Sequence, residues 1–295
     1  MTASNAGLVR WMPVVFIPVW STGFIVARYG MPHAPPLTFL AWRYALSVLC
    51  FGLWILCSRP AWPQGWRQWL HLSVTGVLMH AGYLGGVWAA VKAGMGAGTV
   101  ALLVGLQPVL TALWLSAKGG AAGASARQWL GLTVGLAGLL LVVWHKLGAG
   151  EVTSWNLALA IAALLSITAG TLYQKRYVTV CDVRTANTVQ LFAALLVSLP
   201  LAMAESEPVV LHLHMVGAMA WSVVGLTLGG SSLLYLLIQK GAATKVTSLL
   251  YLVPPCTALM AWALFGEPLT LSMMLGMGLT ASGVALVVGA PRRVP

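Results

Sequence analysis

The sequence predicts an all-α polytopic membrane protein: ten transmembrane helices as two inverted five-helix repeats, with N- and C-termini cytoplasmic. Three observations lead there. The 295 residues are 59% hydrophobic and 7% charged, whereas soluble domains carry about 25% charged residues to cover their surface. Apolar runs of about 20 residues, enough to span a bilayer, recur along the chain. The chain also repeats itself. Gly94–Ala112 aligns with Gly241–Ala258 at an offset of 146 to 147, so that Pro108 falls on Pro254 and Pro255, and Thr111-Ala112-Leu113 on Thr257-Ala258-Leu259. Leu130-Gly131, Gly138 and Leu141-Val142-Val143 recur as Leu275-Gly276, Gly283 and Leu286-Val287-Val288 at an offset of 145. Five spans per repeat, an odd number, turn the second copy over. Inverted repeats of this kind place a transport site near the midplane.

In chain order, the apolar runs predict spans over 12–29, 37–57, 69–91, 96–117, 126–144, 155–176, 184–204, 215–238, 243–264 and 271–289. The first repeat occupies 1–148 and the second 149–295, together one transport unit. Short loops rich in Pro, Gly, Ser, Lys and Arg join the spans, and Lys92-Ala93-Gly94-Met95-Gly96 is tight enough to make the third and fourth antiparallel neighbours. The charges support the count. One side receives twelve cations, from Arg10 to Arg293, and the other three, Arg28, Lys92 and Lys146. Four of the five acids (Glu151, Glu205, Glu207, Glu267) join the poorer side. The cation-rich side is cytoplasmic by the positive-inside rule.

The same placement disposes of the net charge of +11 as a nucleic-acid signal, because the cations form no basic face with interleaved aromatics. Cys50, Cys57, Cys181 and Cys256 share no metal spacing and read as small buried hydrophobes. The first apolar run lacks a small-residue cleavage site and is kept as a span.

Polar side chains inside hydrocarbon are costly and mark function. No Asp or Glu lies near the centre of any span, which disfavours proton-for-cation exchange and favours neutral or zwitterionic substrates. Arg43 lies six residues into the second span, about 9 Å along its axis. It reads either as a carboxylate anchor or gate, or as a structural cation that snorkels or ties neighbouring carbonyls; its counterpart by spacing is Gln190. His80 and Tyr83 share one face of the third span, placed either to line a cavity or to bond between helices. Ser166, Gly170 and Tyr173 form a stripe on the sixth span. Ser231 with Tyr235, and Thr247 with Tyr251, are four apart in the eighth and ninth. Trp20 and Gln107 are the large or polar mid-span residues of the first half. These rings with polar tips suit a mixed polar and apolar ligand, although packing explains each one equally well. Trp62, Trp66 and Trp69 sit at loop ends as interface anchors. Pro108, Pro254 and Pro255 interrupt the fourth and ninth spans at matching places and are the candidate hinges or gates. Gly131 with Gly135, and Gly225 with Gly229, have the spacing of close helix contacts.

These residues resemble the drug/metabolite transporter superfamily, in its ten-span branch of tandem EamA-type repeats. The matching features are Val19-Trp20-Ser21, Arg43, the Trp88–Gly98 turn, and Phe265-Gly266-Glu267-Pro268-Leu269 followed by Leu275-Gly276 and Gly283. The first half departs from the pattern, since Lys118–Ser125 carries no acid where Glu267 has its counterpart; Glu267 is then expected to cap the start of the tenth span. The resemblance implies a multi-pass protein of the bacterial inner membrane that exports amino acids, aromatic and other neutral ones. It implies a cavity between spans one to four and six to nine, with five and ten peripheral. The expected partners are a small-molecule substrate and the lipid bilayer, with no cofactor, metal, catalytic residue or nucleic acid; the oligomeric state stays open, a monomer being one candidate. The missing acids favour facilitated diffusion, with His80 the one candidate proton carrier. The alternative is export of drugs or other metabolites. A nucleotide-sugar exchanger calls for more midplane cations than Arg43 and Lys92, a lipid flippase for a laterally open apolar cavity, and a membrane enzyme for paired acids or a metal site.

Overall fold

The computed structural model describes residues 3–118, 126–148, 150–233 and 252–288. Among these every regular element is helical. In chain order they are α1 (Ala3–Gly30), α2 (Pro36–Ser58), α3 (Trp66–Lys92), α4 (Ala97–Val104), α5 (Gln107–Lys118), α6 (Ala126–Gly148), α7 (Ser154–Tyr177), α8 (Val183–Met203), α9 (Leu213–Ser231), α10 (Val253–Phe265) and α11 (Leu271–Val288). Six stretches are long and apolar enough to cross a membrane: α2, α3, Trp129–Gly148 within α6, α7, α8 and α9. Ala97–Thr111, Val253–Phe265 and Leu271–Leu286 are apolar but shorter. The chain is a multi-pass membrane protein.

Local chemistry sets the helix ends. Pro36 opens α2, where its missing N–H costs nothing, and Arg59 closes it in the left-handed conformation at φ 43°. Thr153 and Asn156 form a reciprocal capping box at the start of α7, and Asp182 caps α8. Gly266 ends α10 at φ 66°, a region glycine enters without a steric cost. The predicted interruption of the fourth span lies at Gly105–Leu106, between α4 and α5. Pro108, Pro254 and Pro255 stand in the first turns of α5 and α10 and not in a helix interior. They begin segments; they do not bend them from within.

Helices at equivalent places in the two halves lie side by side. Thr38 at the start of α2 reaches Ala202 near the end of α8, while Thr185 at the start of α8 reaches Ala61 beyond the end of α2. The two helices therefore run antiparallel. So do α6 and α11, which share the most extensive contact between helices. A Cβ on Gly138 would stand 2.6 Å from the Gly276 carbonyl oxygen, and one on Gly283 would stand 2.7 Å from the Cα of Gly135. Small residues let backbones meet where lipid offers no hydrophobic drive for association. The other predicted glycine pair behaves differently: Gly225 faces the ring of Trp221 on its own helix, and Gly229 the carbonyl of Val224. Of the cysteines, Cys57 is exposed, and Cys50, Cys181 and Cys256 are half-buried and packed against buried clusters.

At the end where the glutamates gather, each acid has a definite partner. Glu205 takes the backbone N–H groups of Leu37 and Thr38 at 3.0 and 2.7 Å, capping α2 from the far half. Glu151 and Glu267 take those of Gly96 and Ala97 at the start of α4, at 3.0 and 3.1 Å. Glu267 thus caps α4 and not the start of α11, which Thr270 caps by accepting from Met273. Lys92 pairs with Glu207 and Lys146 with Glu151, and Arg28 lies 4.0 Å from Glu267. Anions at helix starts also meet the positive end of the dipole.

Candidate functional site

Two helices at equivalent positions depart from α-helical geometry. Val77–Gly82 of α3 and Ser222–Ser231 of α9 are π-helical, and adding 147 to the first places it inside the second. Such wide turns leave carbonyls out of the regular ladder and gather at functional sites. Here they orient side chains: the Thr227 hydroxyl donates to the Ser222 carbonyl five residues back at 2.8 Å, which turns its lone pairs away from its own helix.

Arg43 receives those lone pairs. Its Nε and Nη2 donate to Thr227 Oγ1 at 3.3 and 3.2 Å. The residue is 6% exposed, and its bond to Thr227 ties α2 to α9. Among the described residues it has no carboxylate partner. A buried cation without a counter-charge costs several kcal/mol. Around it stand His80, Tyr44 and Tyr83, within electrostatic reach. Tyr44 donates to the His80 carbonyl at 2.9 Å, and Gln190 engages the His80 side chain. The hydroxyls of Ser47, one turn beyond Arg43 on the same face, and of Ser222 are buried without a partner among the described residues. Arg43 thus gathers an imidazole, two phenols and the Thr227 hydroxyl around it, with the Ser47 hydroxyl one turn along α2.

The partners repeat as the chain does. Gln190 is 147 beyond Arg43, and Thr227 is 147 beyond His80; Arg43 contacts Thr227 while Gln190 contacts His80. Gly23 lies against Leu226, and Gly170 against Met79, again counterparts.

The residues picked out in the sequence divide. His80 and Tyr83 join Arg43, with Tyr83 8% exposed. Tyr173 does not: its hydroxyl pairs with His71 Nδ1 at 2.8 Å, and its ring packs on Tyr177, toward the end of α7. The stripe of Ser166, Gly170 and Tyr173 does share a face, turned to α3, where Ser166 bonds the Leu78 carbonyl at 2.8 Å. Gln107 donates to Thr171 at 2.9 Å. Trp20 packs on Phe16 with centroids 5.2 Å apart and lies close to Gly230. Ser231 bonds back to Leu226 at 3.4 Å. Tyr235, Tyr251 and Thr247 fall outside the described residues. Pro254 and Pro255 line a cavity of about 10 Å³ with Gly105, Leu102 and Thr280, room for one water. Thr227, Gln190 as a direct neighbour, Ser47 and Ser222 went unread in the sequence. The signal for Thr227 was there, since the repeat offset carries His80 onto it.

A model of the EamA-like transporter family matches the chain twice, over 11–144 and 154–289. The uncharacterized inner membrane transporter YedA of Escherichia coli K12 is 24% identical over 91% of this chain and 87% of its own. A probable amino-acid metabolite efflux pump of Salmonella typhimurium LT2 is 22% identical over 94% of each. A solved crystal structure with 15% identity superposes over 95% of this chain and 96% of its own with a TM-score of 0.65, a likeness of fold alone.

Proposed function

Because the chain belongs to the EamA-like transporter family, within the drug/metabolite transporter superfamily, we propose that it exports amino acids or related carboxylate-bearing metabolites from the bacterial inner membrane. The observation that carries the substrate class is Arg43, a buried guanidinium held by one hydroxyl and no acid among the described residues. A carboxylate meets its planar fork with two parallel bonds, and Ser47, Ser222 and His80 supply polar groups for the rest of a zwitterion. The name of the Salmonella relative points the same way.

The mechanism we infer is alternating access in ten spans arranged as inverted halves. The antiparallel pairing of equivalent helices and the exchanged partners support this reading, because a two-fold relation makes contacts come in such matched pairs. The break at Gly105–Leu106 and the proline-led starts of α5 and α10 are the bending points. All five acids lie outside the Arg43 site, and the glutamates are held by helix starts or cations. That favours facilitated diffusion. The test is uptake of labelled aromatic and small amino acids into proteoliposomes, with and without a pH gradient. Saturable uptake without a gradient, lost in Arg43→Gln, supports the proposal. No amino-acid uptake under either condition overturns the substrate class.

A further inference from the structure

Away from Arg43, at the end of the molecule that holds the glutamates, three imidazoles meet. His33 lies in the turn between α1 and α2, and His212 and His214 flank the first residue of α9. Half of the chain's six histidines thus come to one place from segments far apart in sequence. One ring nitrogen of each lies within 4.8 Å of the others. The rings of His33 and His212 stack with centroids 4.4 Å apart, and those of His212 and His214 meet edge to face at 4.7 Å. The arrangement is held from outside the rings. The Val210 N–H donates to the His33 carbonyl at 2.8 Å, and Tyr29 of α1 packs against both His214 and Phe265. Lys92, within electrostatic reach of His33, bonds the Met31 carbonyl and pairs with Glu207.

We propose that His33, His212 and His214 bind one divalent transition-metal ion of the zinc class, tying the α1–α2 turn to the start of α9. Neutral imidazoles suit Zn²⁺, Ni²⁺ and Cu²⁺, and three of them leave a fourth position for water, as in open zinc sites. Tetrahedral zinc with Zn–N near 2.0–2.1 Å sets its nitrogens about 3.4 Å apart. The donors, all within 4.8 Å of one another, must close by at most about 1.4 Å, which rotation of half-buried and exposed side chains provides. His212 Nδ1 now accepts the His214 N–H at 3.1 Å. Ligation through either ring nitrogen displaces that cap, a single neutral bond set against new metal–nitrogen bonds. The proposal is independent of what is transported.

The test is calorimetric titration of the full-length protein, purified without a polyhistidine tag, with Zn²⁺, alongside the visible spectrum on adding Co²⁺. One ion per chain is expected, with Co²⁺ giving the absorption of four-coordinate nitrogen ligation. His33→Gln and His212→Gln should each weaken binding by about tenfold or more, while His145→Gln, an exposed histidine at the end of α6, leaves it unchanged. Zn²⁺ should raise the melting temperature of the wild type and not that of the doubly substituted chain, whose metal-free melting matches wild type. Absence of saturable binding, or binding that survives loss of all three histidines, overturns the proposal.

Discussion

Arg43 of α2 donates two N–H groups to the single hydroxyl oxygen of Thr227 in α9, at 3.3 and 3.2 Å, and Thr227 donates its O–H to the Ser222 carbonyl. The chain of donation runs from a fixed cation to a carbonyl freed by a π-helical stretch. Thr227→Val keeps the shape and removes the acceptor. Loss of a hydrogen bond to a charged group costs about 1.5–3 kcal/mol, so the melting temperature of the detergent-solubilised variant should fall, while Thr227→Ser stays near wild type. Equal melting of both variants would mean that the hydroxyl does not hold Arg43.

His80 and Tyr83 test the site from α3. His80→Ala or Tyr83→Ala should lower uptake in proteoliposomes while folded protein levels stay near normal. Tyr83→Phe separates ring from hydroxyl, and retained flux there would assign Tyr83 to apolar contact. Wild-type rates in both alanine variants would remove these residues from the site.

Gly138 has no room for a side chain, its would-be Cβ lying 2.6 Å from the Gly276 oxygen and 2.8 Å from the Thr280 nitrogen. Gly138→Val must therefore push α6 and α11 apart, at about 1–3 kcal/mol for overpacking or more. We expect a loss of monodisperse protein in size-exclusion chromatography. Gly278→Ala, two residues past Gly276 on α11 with open space around it, should be neutral or slightly stabilising.

Asp182 supplies a pH-dependent contribution. Arg184 donates to both carboxylate oxygens at 2.9 and 2.7 Å and holds the carboxyl below its ordinary range, with partial burial working in the opposite direction. A carboxyl whose pKa is depressed by folding stabilises above its unfolded value of about 3.9 and loses that contribution as pH falls through the folded value. Asp182→Asn should melt below wild type by a constant margin from about pH 8 to pH 5, and the margin should close under more acidic conditions. Equal melting of the two proteins at every pH would leave helix capping, which asparagine also performs, as the whole contribution of Asp182.

The positions of the helices were legible because hydropathy is a one-dimensional signal. The helices α2, α3, α7 and α8 begin and end within about three residues of the predicted spans, and the repeat offset fixed which helices are equivalent. The site was legible in part. Arg43 and His80 stand out as polar residues in apolar runs, and Gln190 as the counterpart of Arg43. What escaped depends on which helices meet. Glu267 reads as a cap for the nearest helix in sequence, yet tertiary packing brings the start of α4 to it. Tyr173 shares a face with Ser166, but that face turns to His71. The π-helical stretches have no hydropathy signature, and with them went the orientation of Thr227. His33 and the His212-x-His214 pair are unremarkable until the α1–α2 turn is folded against α9.

The bond from Arg43 to Thr227 spans 184 residues of chain, and this has a consequence for biosynthesis. At about 5–20 residues per second, the ribosome needs roughly 10–40 seconds after making Arg43 to deliver its partner. Through that interval α2 carries a cation that lacks the hydroxyl which later accepts from it. The glycine face of α6 waits in the same way for α11. Each half carries a full family motif, yet neither is a finished body when it leaves the ribosome; the nascent first half is an intermediate whose last interactions are encoded in the second.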